Sequence, residues 1–124
     1  MNVPVQRGEV SWRGSNVGYY WRDGQPSLVF LHGLCGGAIH FDCAFQSPAL
    51  RDFGLVAIDL PGFGSSKDAD FSSLAVISDS VMCVLAEIGI SKMPWLVAHS
   101  MSSSIATLIL EMFSGLTLLE GNLL

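Results

Sequence analysis

The chain has 124 residues, enough for one domain that buries roughly two-thirds of its unfolded surface and too few for two. Half of the residues are hydrophobic and 14% are charged, apolar for a free-standing domain of this size, so part of the surface is expected to meet a partner. Six Lys and Arg stand against 11 Asp and Glu, a net charge of -5 with no basic cluster, which excludes a phosphate-tracking surface and with it nucleic acid binding.

Residues 1–13 lack the charged start, apolar core and small-residue cleavage site of a signal peptide, so a cytoplasmic protein is expected. Cys35, Cys43 and Cys83 are odd in number and fit no C-x-x-C or Cys/His ligand spacing. Free thiols are expected, with no disulfide framework and no metal site. Residues 9–13 and 17–23 alternate polar and apolar around Gly14-Ser15-Asn16 and predict two half-exposed strands at a sheet edge. From there on the strands read as continuous apolar runs, at 28–31, 55–58, 95–98 and 116–119, as parallel strands covered on both faces do. Helical spacing lies between them. Residues 38–53 predict a weak helix interrupted by Pro48. Leu74, Ile77, Val81, Val84, Leu85 and Ile88 keep a 3.6-residue period, with Ser72 or Ser73 as N-cap and Gly89 at the stop. Met101, Ile105, Leu108 and Met112 repeat it and end at Ser114-Gly115. The uncharged stretch 93–110 is nearly long enough to span a membrane, but His99 and Ser100, Ser102, Ser103 and Ser104 fit a buried strand followed by a buried helix better, and no membrane contact is expected. The alternation implies an α/β fold, with right-handed crossovers building an open, doubly wound, mostly parallel sheet over residues 1–124 whose ligand crevice lies at the carboxyl ends of the strands.

Three motifs fall on that edge. Trp95-Leu96-Val97-Ala98-His99-Ser100-Met101-Ser102 carries an apolar strand into a serine with small residues two positions to either side, and then into a helical pattern. A serine hydroxyl is a poor nucleophile unless held exposed, beside a base and under amide donors, and a sharp strand-to-helix turn supplies the exposure and the donors. The G-x-S-x-G pattern is relaxed here to Ala98 and Ser102, and a plain helix N-cap is the other reading of Ser100. Leu28-Val29-Phe30-Leu31 leads into His32-Gly33-Leu34-Cys35-Gly36-Gly37, and Leu55-Val56-Ala57-Ile58 into Asp59-Leu60-Pro61-Gly62-Phe63-Gly64-Ser65-Ser66.

In this order, each at the end of a predicted strand, the three motifs resemble those of the α/β-hydrolase superfamily: the nucleophile elbow, the HG loop and a D-x-x-G-x-G-x-S turn. The resemblance runs from about residue 10 to the end and implies an α/β-hydrolase fold truncated after its sixth strand. It implies Ser100 as nucleophile and the Leu34 and Met101 amides as oxyanion donors, in a loop that Gly33 begins and that Gly36 and Gly37 bring close to substrate or merely connect. Phe63 and Leu34 would line an acyl pocket or simply pack. The superfamily order is Ser, then acid, then His. Glu120, ending the run Leu116-Thr117-Leu118-Leu119, is the candidate acid or a polar strand terminus, whereas Glu111 falls within a helix. His32, His40 and His99 all precede Ser100, so none takes the place of the base, and the sequence is expected to be the amino-terminal portion of such a hydrolase.

The implied activity is hydrolysis of an ester, thioester, lactone, amide or activated C–C bond through an acyl-enzyme, without cofactor, on a small acyl substrate. A non-catalytic binding module or an interaction protein is the alternative. The uncharged sixth strand, next to Leu123-Leu124, is expected to promote self-association.

Overall fold

The computed structural model describes residues 4–90 and 92–120. The alternating amino-terminal segments form an antiparallel hairpin of β1 (Gln6–Trp12) and β2 (Ser15–Arg22). Its two-residue loop is Arg13-Gly14, at φ 50° and 78°. Positive φ at both positions is the type I′ geometry that matches strand twist. The turn thus comes earlier than the expected Gly14-Ser15-Asn16, because Ser15 and Asn16 pair with Trp12 and Ser11.

β2 pairs antiparallel with β4 (Gly54–Ile58), while β3 (Ser27–Leu31) pairs parallel with both β4 and β5 (Trp95–His99), and β5 pairs parallel with β6 (Gly115–Leu119). The order is β1-β2-β4-β3-β5-β6. The chain leaves β3 toward one side to make β4 and returns to the other side to make β5, so connections diverge at β3. A crevice opens at the carboxyl ends of strands where that reversal occurs. The register keeps these ends level, with Leu31 opposite both Ile58 and Ala98, and His99 opposite Leu119.

Burial on both faces explains the unbroken apolar runs. Val29, Leu31, Val56, Ile58, Leu96 and Ala98 face α2 (Leu74–Ile88) and α3 (Ser102–Ile109), joined by Val10, Trp12, Val17 and Tyr19 of the hairpin. Phe30, Leu55, Ala57 and Val97 face the other way, against Ala38 and Phe41. Ser73 is the N-cap of α2, its hydroxyl accepting from the Val76 amide at 3.1 Å, and Gly89 closes the helix at φ 85°.

The weak helix expected over 38–53 is three short pieces: a 3-10 turn Ala38–Phe41, α1 (Asp42–Gln46) and a 3-10 turn Pro48–Leu50. Ser47 is extended because the ring of Pro48 disfavours a helical residue before it. The interruption leaves carbonyls without helical donors, and Arg22, buried at the end of β2, supplies them: its guanidinium donates to the Phe45, Leu50 and Phe53 oxygens. After the elbow, α3 stops at Ile109 and a 3-10 turn Leu110–Met112 follows, carrying the exposed Glu111. Gly115, expected as a helix stop, is the first residue of β6. No helix among the described residues is long and apolar enough to cross a membrane. Leu123-Leu124 lies outside the described residues.

Candidate functional site

Ser100 directly follows β5 at φ 52°, and α3 begins two residues later. A left-handed conformation costs an L-residue with a Cβ of the order of 1–2 kcal/mol and persists only where the surroundings hold it. Here both backbone groups are held. The Ser100 amide donates to the Leu119 carbonyl at 3.0 Å, and its carbonyl accepts from the Ser103 amide at 3.0 Å and from the Ser103 hydroxyl at 2.5 Å. The strand-to-helix turn expected at Ser100 is present.

The loop after β3 lies against this turn. A Cβ placed on Gly33 would come within 3.2 Å of Ser100 Cβ and 2.9 Å of His99 Nδ1, so a glycine lets this loop lie close against the side chains of His99 and Ser100. Beyond it the Gly36 amide donates to the Gly33 carbonyl at 3.0 Å, closing a turn with Leu34 and Cys35 at its centre and Cys35 at φ 59°. Leu34 is exposed. Among the described residues, neither the Leu34 nor the Met101 amide has an acceptor, the condition in which a backbone N–H is free for a ligand oxygen.

His32 fixes the loop from below. It is fully buried, its Nδ1 lies 2.8 Å from the Gly33 carbonyl, and its Nε2 accepts from the Leu60 amide at 3.0 Å. The acceptor role of Nε2 assigns the proton to Nδ1, which donates to Gly33. Burial pulls the pKa of this imidazole below its ordinary value, opposed by the Gly33 carbonyl and the Asp59 charge. The Ser102 hydroxyl donates to the His32 carbonyl, joining the base of α3 to the same loop. Phe63 meets the His32 ring edge-on, centroids 5.4 Å apart, and packs on the core.

The sequence names the D-x-x-G-x-G-x-S turn and gives a task in it to Phe63 alone, not to Asp59, Ser65 or Ser66. Asp59 Oδ1 accepts from the Ala38 amide at 2.8 Å, and Oδ2 accepts from the amide and hydroxyl of Ser65 at 3.2 and 2.7 Å. The carboxylate thereby ties the segment after the HG loop to the loop after β4. Ser66 accepts from the Gly18 amide at 2.8 Å and joins that loop to the hairpin. Ser102 was legible only as a small residue; its bond to His32 lies 70 positions away in sequence.

Glu120, one residue past β6, stands with its Oε2 3.5 Å from His99 Nε2. His99 has its ring between Glu120 and Gly33. His40 lies near Gly36 and lines a cavity of about 360 Å³ with Arg7, Tyr20, Gly37, Asp59 and Ser65. Ser100, Leu34 and Phe63 do not line that cavity. Cys35 and Cys43 are exposed free thiols, Cys83 is a half-buried one, and the described residues hold no cluster of three metal-ligating side chains.

The family model for the alpha/beta hydrolase fold matches residues 26–120. A 2-succinyl-6-hydroxy-2,4-cyclohexadiene-1-carboxylate synthase of Pectobacterium atrosepticum is 37% identical over 82 residues, 66% of this chain and 31% of that protein. Among solved structures, the N-acyl homoserine lactonase AidH superposes with a TM-score of 0.83 at 20% identity, covering 95% of this chain and 46% of its own, and a bacterial membrane phospholipase A with 0.81 at 24%, covering 95% and 40%. The chain therefore spans about a third of the length of that synthase and less than half of those structures. At such identities the structures speak to fold alone, and the family match agrees with them: the chain belongs to the alpha/beta hydrolase fold family.

Proposed function

We propose that this chain carries the nucleophile and oxyanion-binding part of a serine-dependent site acting on a small carbonyl substrate. The observation that carries the reading is Ser100 at φ 52° with the Gly33 backbone packed against it, so that two amides without acceptors, Leu34 and Met101, lie one residue beyond each. In acyl transfer, Ser100 Oγ attacks the carbonyl carbon and loses its proton to a base. The carbonyl electron pair moves onto oxygen under the two amides. Collapse expels the alcohol, thiol or amine, and water then releases the acid. Donors aimed at a charge that exists only in the transition state are worth about 10²-fold or more each in rate. Gly33 and Phe63 shape the floor of the site, and Glu120 is its candidate acid.

A second reading has support in the 37% identity to a synthase named for a ring carboxylate bearing a succinyl group. There the same two amides would hold an enolate oxygen, and Ser100 would move a proton without forming an ester. Phenyl-ring fluorophosphonate labelling of the 124-residue chain, read by intact mass and peptide mapping, tests the shared part: one adduct on Ser100, lost in Ser100→Ala. No histidine follows Ser100 in these residues, so aryl ester turnover by this chain is expected to be no more than about 10³-fold over water, the level left by an oxyanion hole and binding alone. An acyl adduct on Ser100 during ester turnover favours acyl transfer over the enolate reading. A folded chain that takes no label counts against an activated Ser100 within these residues and favours the binding-module alternative.

A further inference from the structure

The last residue of β6 and the one after it reach the elbow at two points. The Leu119 carbonyl holds the Ser100 amide at 3.0 Å, and the Glu120 carboxylate returns over β5 to lie 3.5 Å from His99 Nε2. Glu120 itself sits at φ 49°, as unusual for a residue with a side chain as the φ of Ser100. The other side of the His99 ring faces the Gly33 backbone closely enough that a Cβ there would come within 2.9 Å of Nδ1. The ring is a spacer with β6 on one side and the oxyanion loop on the other, and it belongs to the residue just before Ser100.

We propose that Glu120 and His99 are paired positioning residues: the Glu120 carboxylate orients the His99 ring, and the ring sets the distance between the Ser100 turn and the Gly33-Leu34 segment. The role rests on Ser100 being the nucleophile. Glu120 is largely exposed, and an ion pair in water adds little to stability, so the pair's consequence lies in orientation rather than strength. Nε2 carries the proton toward Glu120 in the neutral ring, leaving Nδ1 as the acceptor facing Gly33. Small displacements of a reacting group cost rate steeply, so the effect is largest where Ser100 and the two amides must converge on one carbonyl. Glu120 thereby acts as an acid that orients a histidine, and the histidine it orients within this chain is His99.

The test uses the 124-residue chain with Glu120→Ala and Glu120→Gln. Long-range proton-nitrogen spectra at about pH 8, where imidazoles are neutral, report the tautomer of each of the three histidines, with His99→Gln giving the assignment. The wild type is expected to show His99 as the Nε2–H form, and Glu120→Ala to lose that preference. Fluorophosphonate labelling of Ser100 is expected to slow by roughly five- to tenfold in Glu120→Ala and to recover most of its rate in Glu120→Gln, which keeps an acceptor oxygen. Both variants are expected to melt as the wild type does. An unchanged His99 tautomer in Glu120→Ala overturns the pairing whatever the labelling does. A changed tautomer with an unchanged labelling rate overturns the positioning role. If the wild type takes no label, the nucleophile reading fails and the tautomer spectra still decide the pair.

Discussion

His32 holds more of the site's geometry than Ser100 does. Through two ring nitrogens and a backbone carbonyl it joins the loop after β3, the loop after β4 and the base of α3. The Leu60 bond requires the neutral ring: a second proton on Nε2 would face the Leu60 N–H and end the acceptor role of that nitrogen. Burial lowers the folded-state pKa of this histidine, so between that value and the unfolded value of about 6.5 the unfolded chain binds more protons than the folded one. Its stabilising contribution is therefore complete above about pH 6.5 and falls away as pH drops through the range below it. Thermal melts from about pH 7.5 to about pH 5 are expected to show a falling midpoint, with a smaller fall in His32→Asn, the variant without the titrating ring. At neutral pH that variant is expected to be destabilised by about 1–3 kcal/mol, the cost of leaving the buried Leu60 N–H without its partner. A pH dependence identical in both proteins would remove His32 from the account.

At the scale of elements, the caps of α2 separate two serines that sequence reasoning could not. Both precede the periodic apolar run, yet only Ser73 is extended with its hydroxyl on the Val76 amide. Ser72 instead serves Asp70: its side chain first, then its amide, which donates to the carboxylate at 2.8 Å, and the nearby Arg13 hold the Asp70 carboxyl below the usual range. Ser73→Ala is expected to cost about 1 kcal/mol, a fall of roughly 3–6 °C in Tm, and Ser72→Ala to stay within about 0.5 kcal/mol of the wild type. Calorimetry of the two variants side by side checks this. The helix matters to the site because α2 carries the chain from β4 across to β5, and its packing against Trp12, whose indole N–H donates to Asp79 at 3.0 Å, fixes where that crossover begins.

At the scale of the molecule, the sheet has an unpaired outer side at β6 among the described residues. Leu116 and Leu118 pack toward the core, Thr117 and Leu119 are exposed, and no residue of the strand is charged. Next to it Pro26, Leu28, Phe53, Trp95 and Val97 line an apolar groove of about 460 Å³. An open, uncharged edge beside apolar surface is a template for pairing with another chain. The 124-residue chain is expected to self-associate at micromolar concentration, and Leu119→Lys, which places a charge on the open edge, to lower the scattering. A wild type that remains monomeric across that range by light scattering would refute the expectation.

Strand and helix positions were legible in the sequence because their causes are short-range: alternation, 3.6-residue spacing, and serines and glycines at the ends. The three motifs were legible as well, since each is a local turn at the end of its own strand. The boundaries that shifted did so where a neighbour decided them, as when Ser15 and Asn16 were drawn into β2 by pairing with β1. The contacts that make the site were not legible. Gly33 against Ser100, Ser102 on His32, and Glu120 beside His99 each join segments on different strands. Only the order β4-β3-β5-β6, with its level carboxyl ends, brings them within reach. Sequence spacing sets which residue sits at the end of a strand; which strands lie side by side, and hence which ends meet, is set by the packing of α2 and α3 on a sheet whose connections diverge at β3.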